Sequence, residues 1–296
     1  MRRRDFLGGA IVSSLASIPT AAEAASSCRY NTDSRAFEDF VLWEDFSEPF
    51  HGRSPQVFRL GSGPPVIILH EISGANPQLF AFAKRVASAG FTSIVPILFG
   101  RPNQPESNCS VAEQFLRMCV TREFSLFSAH RSSPIVDWVR ALGRFVYAGI
   151  SPRGIGVVGL CVTGNFALAM AADEYLLAPV ISEPALPFSV PWHPGNKSSL
   201  GLTGDEIASL QRRIRGGMQV AAFRFTDDPF VSVDRMKALE ALVTDARGKL
   251  VGNYSIPPIC PNAHAVFTDH FDESSATSQS VFSQLVDFLR QSLPSI

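Results

Sequence analysis

From Pro64 onward, short apolar runs alternate with stretches whose apolar residues recur every three to four positions. Val66-Ile67-Ile68-Leu69 has the length and β-branched content of a buried strand, and Pro77 to Ala89 has helical periodicity stopped by Gly90. Thr92 to Leu98 predicts the next strand, so these three segments form a strand-helix-strand unit. After a loop rich in Pro, Asn and Ser (Gly100 to Ser110), the alternation resumes. A helix is expected over Ile135 to Tyr147, a strand over Ile155 to Leu160 and a helix over Asn165 to Ala172. Further strands are expected at Ala178 to Ser182, Met218 to Phe225 and Lys249 to Tyr254, and a final helix over Ser278 to Ser292. Strands that read as continuous apolar runs, separated by helices, imply an α/β fold with a mostly parallel sheet covered on both faces. Residues 25–60 are mixed and polar and fit an N-terminal hairpin.

One stretch breaks this rhythm. Pro184 to Gly217 opens with several prolines and then shows Thr203-Gly204-Asp205-Glu206, the spacing of a capping box before a helix that stops at Gly216-Gly217. It reads as an insertion beside the sheet, either a wall of the site or a plain surface excursion. The remainder, 25–296, reads as one domain.

The first 24 residues read as an address. Arg2-Arg3-Arg4-Asp5-Phe6-Leu7 precedes a weakly apolar run and Ala22-Glu23-Ala24 supplies a small-x-small cleavage site, a pattern similar to a twin-arginine export signal. A periplasmic or secreted product is expected, and no segment has the roughly 20 apolar residues of a membrane span. Formal net charge is −1 over 296 residues, with Lys and Arg scattered, which argues against a nucleic-acid partner. The five cysteines, Cys28, Cys109, Cys119, Cys161 and Cys260, lack C-x-x-C spacing, so no metal site, metal cofactor or dithiol redox centre is expected. An odd number in an exported chain leaves one thiol free, and Cys161 is the best candidate.

Gly159-Leu160-Cys161-Val162-Thr163-Gly164 lies where a buried strand meets a helix, the setting of a nucleophile elbow. A cysteine at such a junction can also be a small buried hydrophobe, so Cys161 gains weight from the acids and histidines farther along the chain. A thiol nucleophile needs a base, and the base needs an orienting acid. Asp227 and Asp228 both follow the strand ending near Phe225, and His264 and His270 both follow the strand Lys249 to Tyr254. His70-Glu71-Ile72-Ser73-Gly74 follows the first strong strand, where the second amide of an oxyanion hole would come from Ile72 and the first from Val162. A carboxylate at Glu71 would oppose ionisation of a neighbouring thiol.

These residues together resemble the dienelactone hydrolase (carboxymethylenebutenolidase) family of the α/β-hydrolase superfamily. The likeness runs from about Val66 to the C-terminus through Glu71-Ile72-x-Gly74, Gly159-x-Cys161-x-x-Gly164, Asp228-Pro229-Phe230-Val231 and Ala263-His264. It implies an α/β-hydrolase fold, a Cys161, Asp228 and His264 triad, no cofactor, and a Glu71 that keeps the resting thiol protonated until an ester or lactone substrate binds. Two departures stand out. The family carries glycine where Thr163 stands, and its dienelactone enzymes place an arginine shortly after the histidine, whereas Ala265 to Thr268 contains none. Arg101 is the substitute candidate for holding a substrate carboxylate. The same departures raise the alternative of a hydrolase fold retained as a small-molecule binding protein.

Overall fold

The structure is a computed structural model that describes residues 35–49, 54–104, 134–185 and 198–295. The export segment 1–24, Cys28, Cys109 and Cys119 and residues 186–197 of the insertion therefore lie outside the described residues.

The described strands are β1 (Val41–Leu42), β2 (Val57–Leu60), β3 (Pro65–Leu69), β4 (Thr92–Pro96), β5 (Ile155–Leu160), β6 (Leu176–Ser182), β7 (Val220–Phe223) and β8 (Leu250–Val251). They form an eight-stranded sheet in the order β1-β2-β4-β3-β5-β6-β7-β8. The pairs β1/β2 and β2/β4 are antiparallel, and every pair from β4 to β8 is parallel. The expected hairpin region thus supplies the antiparallel edge of a mostly parallel sheet.

Side chains alternate across the central strands as a period of two requires. Ile67 and Leu69 face one core with Ile155 and Val157, while Val66 and Ile68 face the other with Val158 and Leu160. Helices α1 (Pro77–Ser88) and α6 (Ala276–Ser292) cover the second face. The first face is covered by α2 (Pro134–Gly149), α3 (Gly164–Met170), α4 (Gly204–Arg215) and α5 (Val233–Asp245). Each fully buried Leu, Ile, Val or Phe on these faces contributes about 1.5–3 kcal/mol relative to exposure.

Local signals fix the helix ends. Asn76 accepts the Leu79 amide hydrogen at 2.9 Å ahead of Pro77, starting α1. Thr203 and Glu206 form the expected capping box of α4: the Glu206 amide donates to Thr203 Oγ1 at 3.2 Å and the Thr203 amide to Glu206 Oε2 at 2.8 Å. Helix α5 (Val233–Asp245) is not among the elements expected above; Ser232 caps it, its hydroxyl accepting the Arg235 amide hydrogen at 3.2 Å. The strand expected over Lys249 to Tyr254 contracts to Leu250–Val251, because Gly252 turns the chain at φ 85°, where a Cβ would lie 2.5 Å from the Ala222 carbonyl oxygen.

Candidate active site

The parallel strands end on a common rim; Cys161 and Glu71 lie one and two residues beyond β5 and β3, Asp228 five beyond β7, and His264 thirteen beyond β8. Leu160, the last residue of β5, is extended, and Cys161 then takes φ 54°, a left-handed conformation disfavoured for a side chain with a Cβ. The turn is tight: a Cβ on Gly159 would stand 2.3 Å from the Thr163 carbonyl oxygen, and one on Gly164 would press on Pro184 at 3.3 Å. Thr163 itself is right-handed at φ −78°, so glycine is not required there. Its buried hydroxyl accepts the Leu160 amide hydrogen at 3.0 Å and can donate to the carbonyl of Leu160 (2.8 Å) or Leu69 (3.0 Å). The threonine that departs from the family pattern therefore ties the elbow to β3.

Of the two candidate acids, Asp227 is exposed and Asp228 is buried. Asp228 Oδ1 accepts the amide hydrogens of Phe230 (2.8 Å) and Val231 (3.1 Å), while Oδ2 faces His264 Nδ1 at 2.8 Å. That contact fixes the tautomer with hydrogen on Nδ1 and leaves Nε2 as the basic nitrogen of an imidazole that interacts with the Cys161 thiol. The other candidate, His270, acts as a brace: its Nδ1 accepts the Ala265 amide hydrogen at 3.1 Å. Arg224 braces the acid loop, its Nε and Nη2 donating to the Val231 carbonyl at 3.1 and 2.9 Å.

The electrostatics separate the partners. Burial pushes the Cys161 thiol up; His264 opposes that effect, and the charge of Glu71 adds to it, as that of Glu183 does when ionised. The resting thiol is therefore protonated. Burial alone would lower His264, but Asp228, together with Cys161, raises it well above the ordinary imidazole value. With the thiol protonated, Asp228 is the charge that sustains this basicity.

Glu71 is buried beside the elbow and accepts the hydrogen of the Thr268 hydroxyl. Ile72 comes next, half-buried and packed against the core that contains Val162. Arg101 is exposed and, among the described residues, makes no hydrogen bond or ion pair with Cys161, Asp228 or His264. Cys161 is a free thiol, whereas Cys260 is disulfide-bonded. Among the described residues no group of three metal-binding side chains is present, and no helix is long and apolar enough to cross a membrane.

Sequence reasoning missed Glu183, which is fully buried one residue past β6. The signal was available, since Ser182-Glu183-Pro184 follows an apolar strand much as His70-Glu71 follows β3. It also missed Thr268, whose role depends on a contact with a residue nearly two hundred positions earlier.

A carboxymethylenebutenolidase from a Pseudomonas species is 29% identical over 118 residues, a match that spans 39% of this chain and 47% of that protein. The chain thus aligns with about half the length of this curated relative. Among solved structures, a candidate dienelactone hydrolase from Klebsiella pneumoniae superposes with a TM-score of 0.58 at 15% identity, over 85% of this chain and 99% of that one. A dienelactone hydrolase-like promiscuous phosphotriesterase from metagenomic libraries gives 0.54 at 15% identity, over 81% and 93%. These likenesses establish an α/β-hydrolase fold, and with the dienelactone hydrolase family pattern matching residues 50–293, which contain the elbow, both carboxylates and the histidine, the chain belongs to the dienelactone hydrolase family.

Proposed function

We propose that the protein hydrolyses a carboxylic ester or lactone with Cys161 as nucleophile, His264 as base and Asp228 as the group that orients and charges the base. The observation that carries this reading is the left-handed Cys161 at the strand-helix turn, in electrostatic contact with an imidazole whose Nδ1 meets a buried carboxylate at 2.8 Å. Nucleophile, base and orienting acid are thereby gathered in one site, with the base held by the acid.

In this mechanism His264 Nε2 takes the thiol proton and the sulfur attacks the carbonyl carbon. The amides of Ile72 and Val162 hold the resulting oxyanion. Collapse of that intermediate expels the alcohol or enol oxygen, which receives the proton from the imidazolium, and leaves a thioester on Cys161. Water, deprotonated by His264, then cleaves the thioester and restores the thiol. Glu71 keeps the thiol protonated at rest, and a substrate that displaces its carboxylate releases the thiolate. We further propose that residues 1–24 direct export; the Cys260 disulfide favours an oxidising compartment.

Thr163 had favoured a binding protein without turnover, but its hydroxyl satisfies the elbow. The test is hydrolysis of a panel of nitrophenyl esters and small lactones with and without iodoacetamide. Turnover that falls in step with alkylation mapped to Cys161 is expected. Turnover that persists on fully alkylated protein would remove Cys161 from the mechanism.

A further inference from the structure

Glu183 is a buried acid that the mechanism above does not use. It is 0% exposed and follows the last residue of β6. Because Leu160 pairs with Ser182 across the β5/β6 ladder, the next residues, Cys161 and Glu183, leave adjacent strand ends together. Both take left-handed backbone, Glu183 at φ 35°, and the Glu183 amide is bound to the Phe223 carbonyl at 2.8 Å. Its side chain is only half satisfied. Oε2 accepts the Val266 amide hydrogen at 3.3 Å and contacts the Ser182 hydroxyl, whereas Oε1 is buried without a hydrogen-bond partner.

A buried carboxylate with one unsolvated oxygen is far more costly than the neutral acid. The surroundings press the same way. Glu71 reaches the same segment through Thr268 as Glu183 does through Val266, and Asp228 adds a further negative charge. His264, once protonated, would oppose them. Arg235 Nη1 donates to the Pro184 carbonyl at 3.2 Å and Nε to that of Ser199 at 3.0 Å, and Arg224 donates to the Val231 carbonyl.

We propose that Glu183 is a positioning residue that stays protonated in the resting site, so that Glu71 is the one carboxylate facing Cys161 that a substrate must displace. Displacement of Glu71 presupposes the thiol mechanism above; the protonation of Glu183 does not. Burial and the charge of Glu71 hold the Glu183 carboxyl well above its ordinary range, in keeping with this assignment. At alkaline pH its ionisation places a second negative charge beside the thiol and opposes thiolate formation.

Infrared spectroscopy and thermal melting of the full chain test this directly. At pH 7 the wild type is expected to show the carbonyl stretch of a protonated, deuterium-sensitive carboxylic acid that is lost in Glu183→Gln and retained in Glu71→Gln. A group whose folded pKa is raised stabilises fully below its unfolded pKa and loses that contribution as pH climbs toward the folded one. The melting temperature of Glu183→Gln should therefore gain on wild type by about 2 °C or more from pH 5 to pH 8. Glu183→Met supplies both comparisons if the Gln variant does not fold. Absence of the band, its loss in Glu71→Gln instead, or a melting difference independent of pH would overturn the protonation. For the role at the thiol, alkylation of Cys161 in Glu183→Gln should keep rising with pH where wild type levels off, and parallel profiles would overturn it. If Cys161→Ala retains full turnover while band and melting shift behave as expected, the thiol mechanism fails and the protonated Glu183 stands.

Discussion

Two loops flank Cys161, each carrying a buried histidine, and the contrast between them shows what makes one of the two a base. On the loop after β3, His70 Nδ1–H donates to the Glu71 carbonyl at 2.7 Å, Nε2 accepts the Leu98 amide hydrogen at 3.0 Å, and the ring stands edge-on to Phe99. Burial lowers its pKa to about 4, because every partner is neutral. On the loop after β8, His264 is buried as well, but its Nδ1 partner is the Asp228 carboxylate, and its pKa is raised well above 6.5. Burial works against the imidazolium in both places. Charged neighbours, Asp228 foremost and Cys161 as thiolate, offset burial at His264, whereas His70 is a strut that joins the Glu71–Ile72 loop to the end of β4.

The sharpest way to break this contrast is to remove that charge. Asp228→Asn keeps the shape and the amide contacts of Phe230 and Val231 while losing the carboxylate, and turnover should fall by about 10⁴-fold with little change in melting temperature. A fall under tenfold would mean that the carboxylate does not set the base. On the other loop the expected effect is on stability. A histidine whose folded pKa is depressed from 6.5 to about 4 contributes stability that is present above 6.5 and lost as pH falls through 4. That is on the order of 3 kcal/mol for His70, and His270, also lowered to about 4, contributes in the same window. His70→Gln should flatten part of the acid limb of a melting curve series between pH 6.5 and 4 and leave the His270 share; an unchanged limb would show that His70 is not held neutral. Thr163→Val strands the Leu160 amide, and chemical denaturation should show a loss of about 1–3 kcal/mol. The smallest change is expected away from both loops: Lys84 and Asp39 meet at 2.6 Å but are each more than 40% exposed, so breaking that pair should cost under about 1 kcal/mol in the same assay.

The same contrast explains how much was legible in the sequence. β3, β5 and β6 are buried on both faces, so their apolar runs stood out, and with them the positions just beyond their ends, Glu71 and Cys161. Asp227 and Asp228 could not be separated by spacing, because adjacent residues after a strand point apart and only one enters the site. His264 and His270, six positions apart, both fall after the last strand, and the contact with Asp228 distinguishes them. Glu183 stands just past an equally legible strand, but its neighbours come from strand register: nothing local in Ser182-Glu183-Pro184 places it near residues 71 and 266. The Gly252 turn shortened β8 for a comparable reason, since the Ala222 carbonyl that excludes a Cβ there is on the neighbouring strand.

The measurement that bears most directly on the central claim is intact-mass analysis of the protein quenched during hydrolysis of a slow ester substrate. The account predicts an acyl adduct that maps to Cys161, forms before steady state and disappears as substrate is exhausted, with neither adduct nor turnover in a folded Cys161→Ala variant. Turnover by Cys161→Ala at the wild-type rate, with no adduct on the wild-type protein, would contradict it.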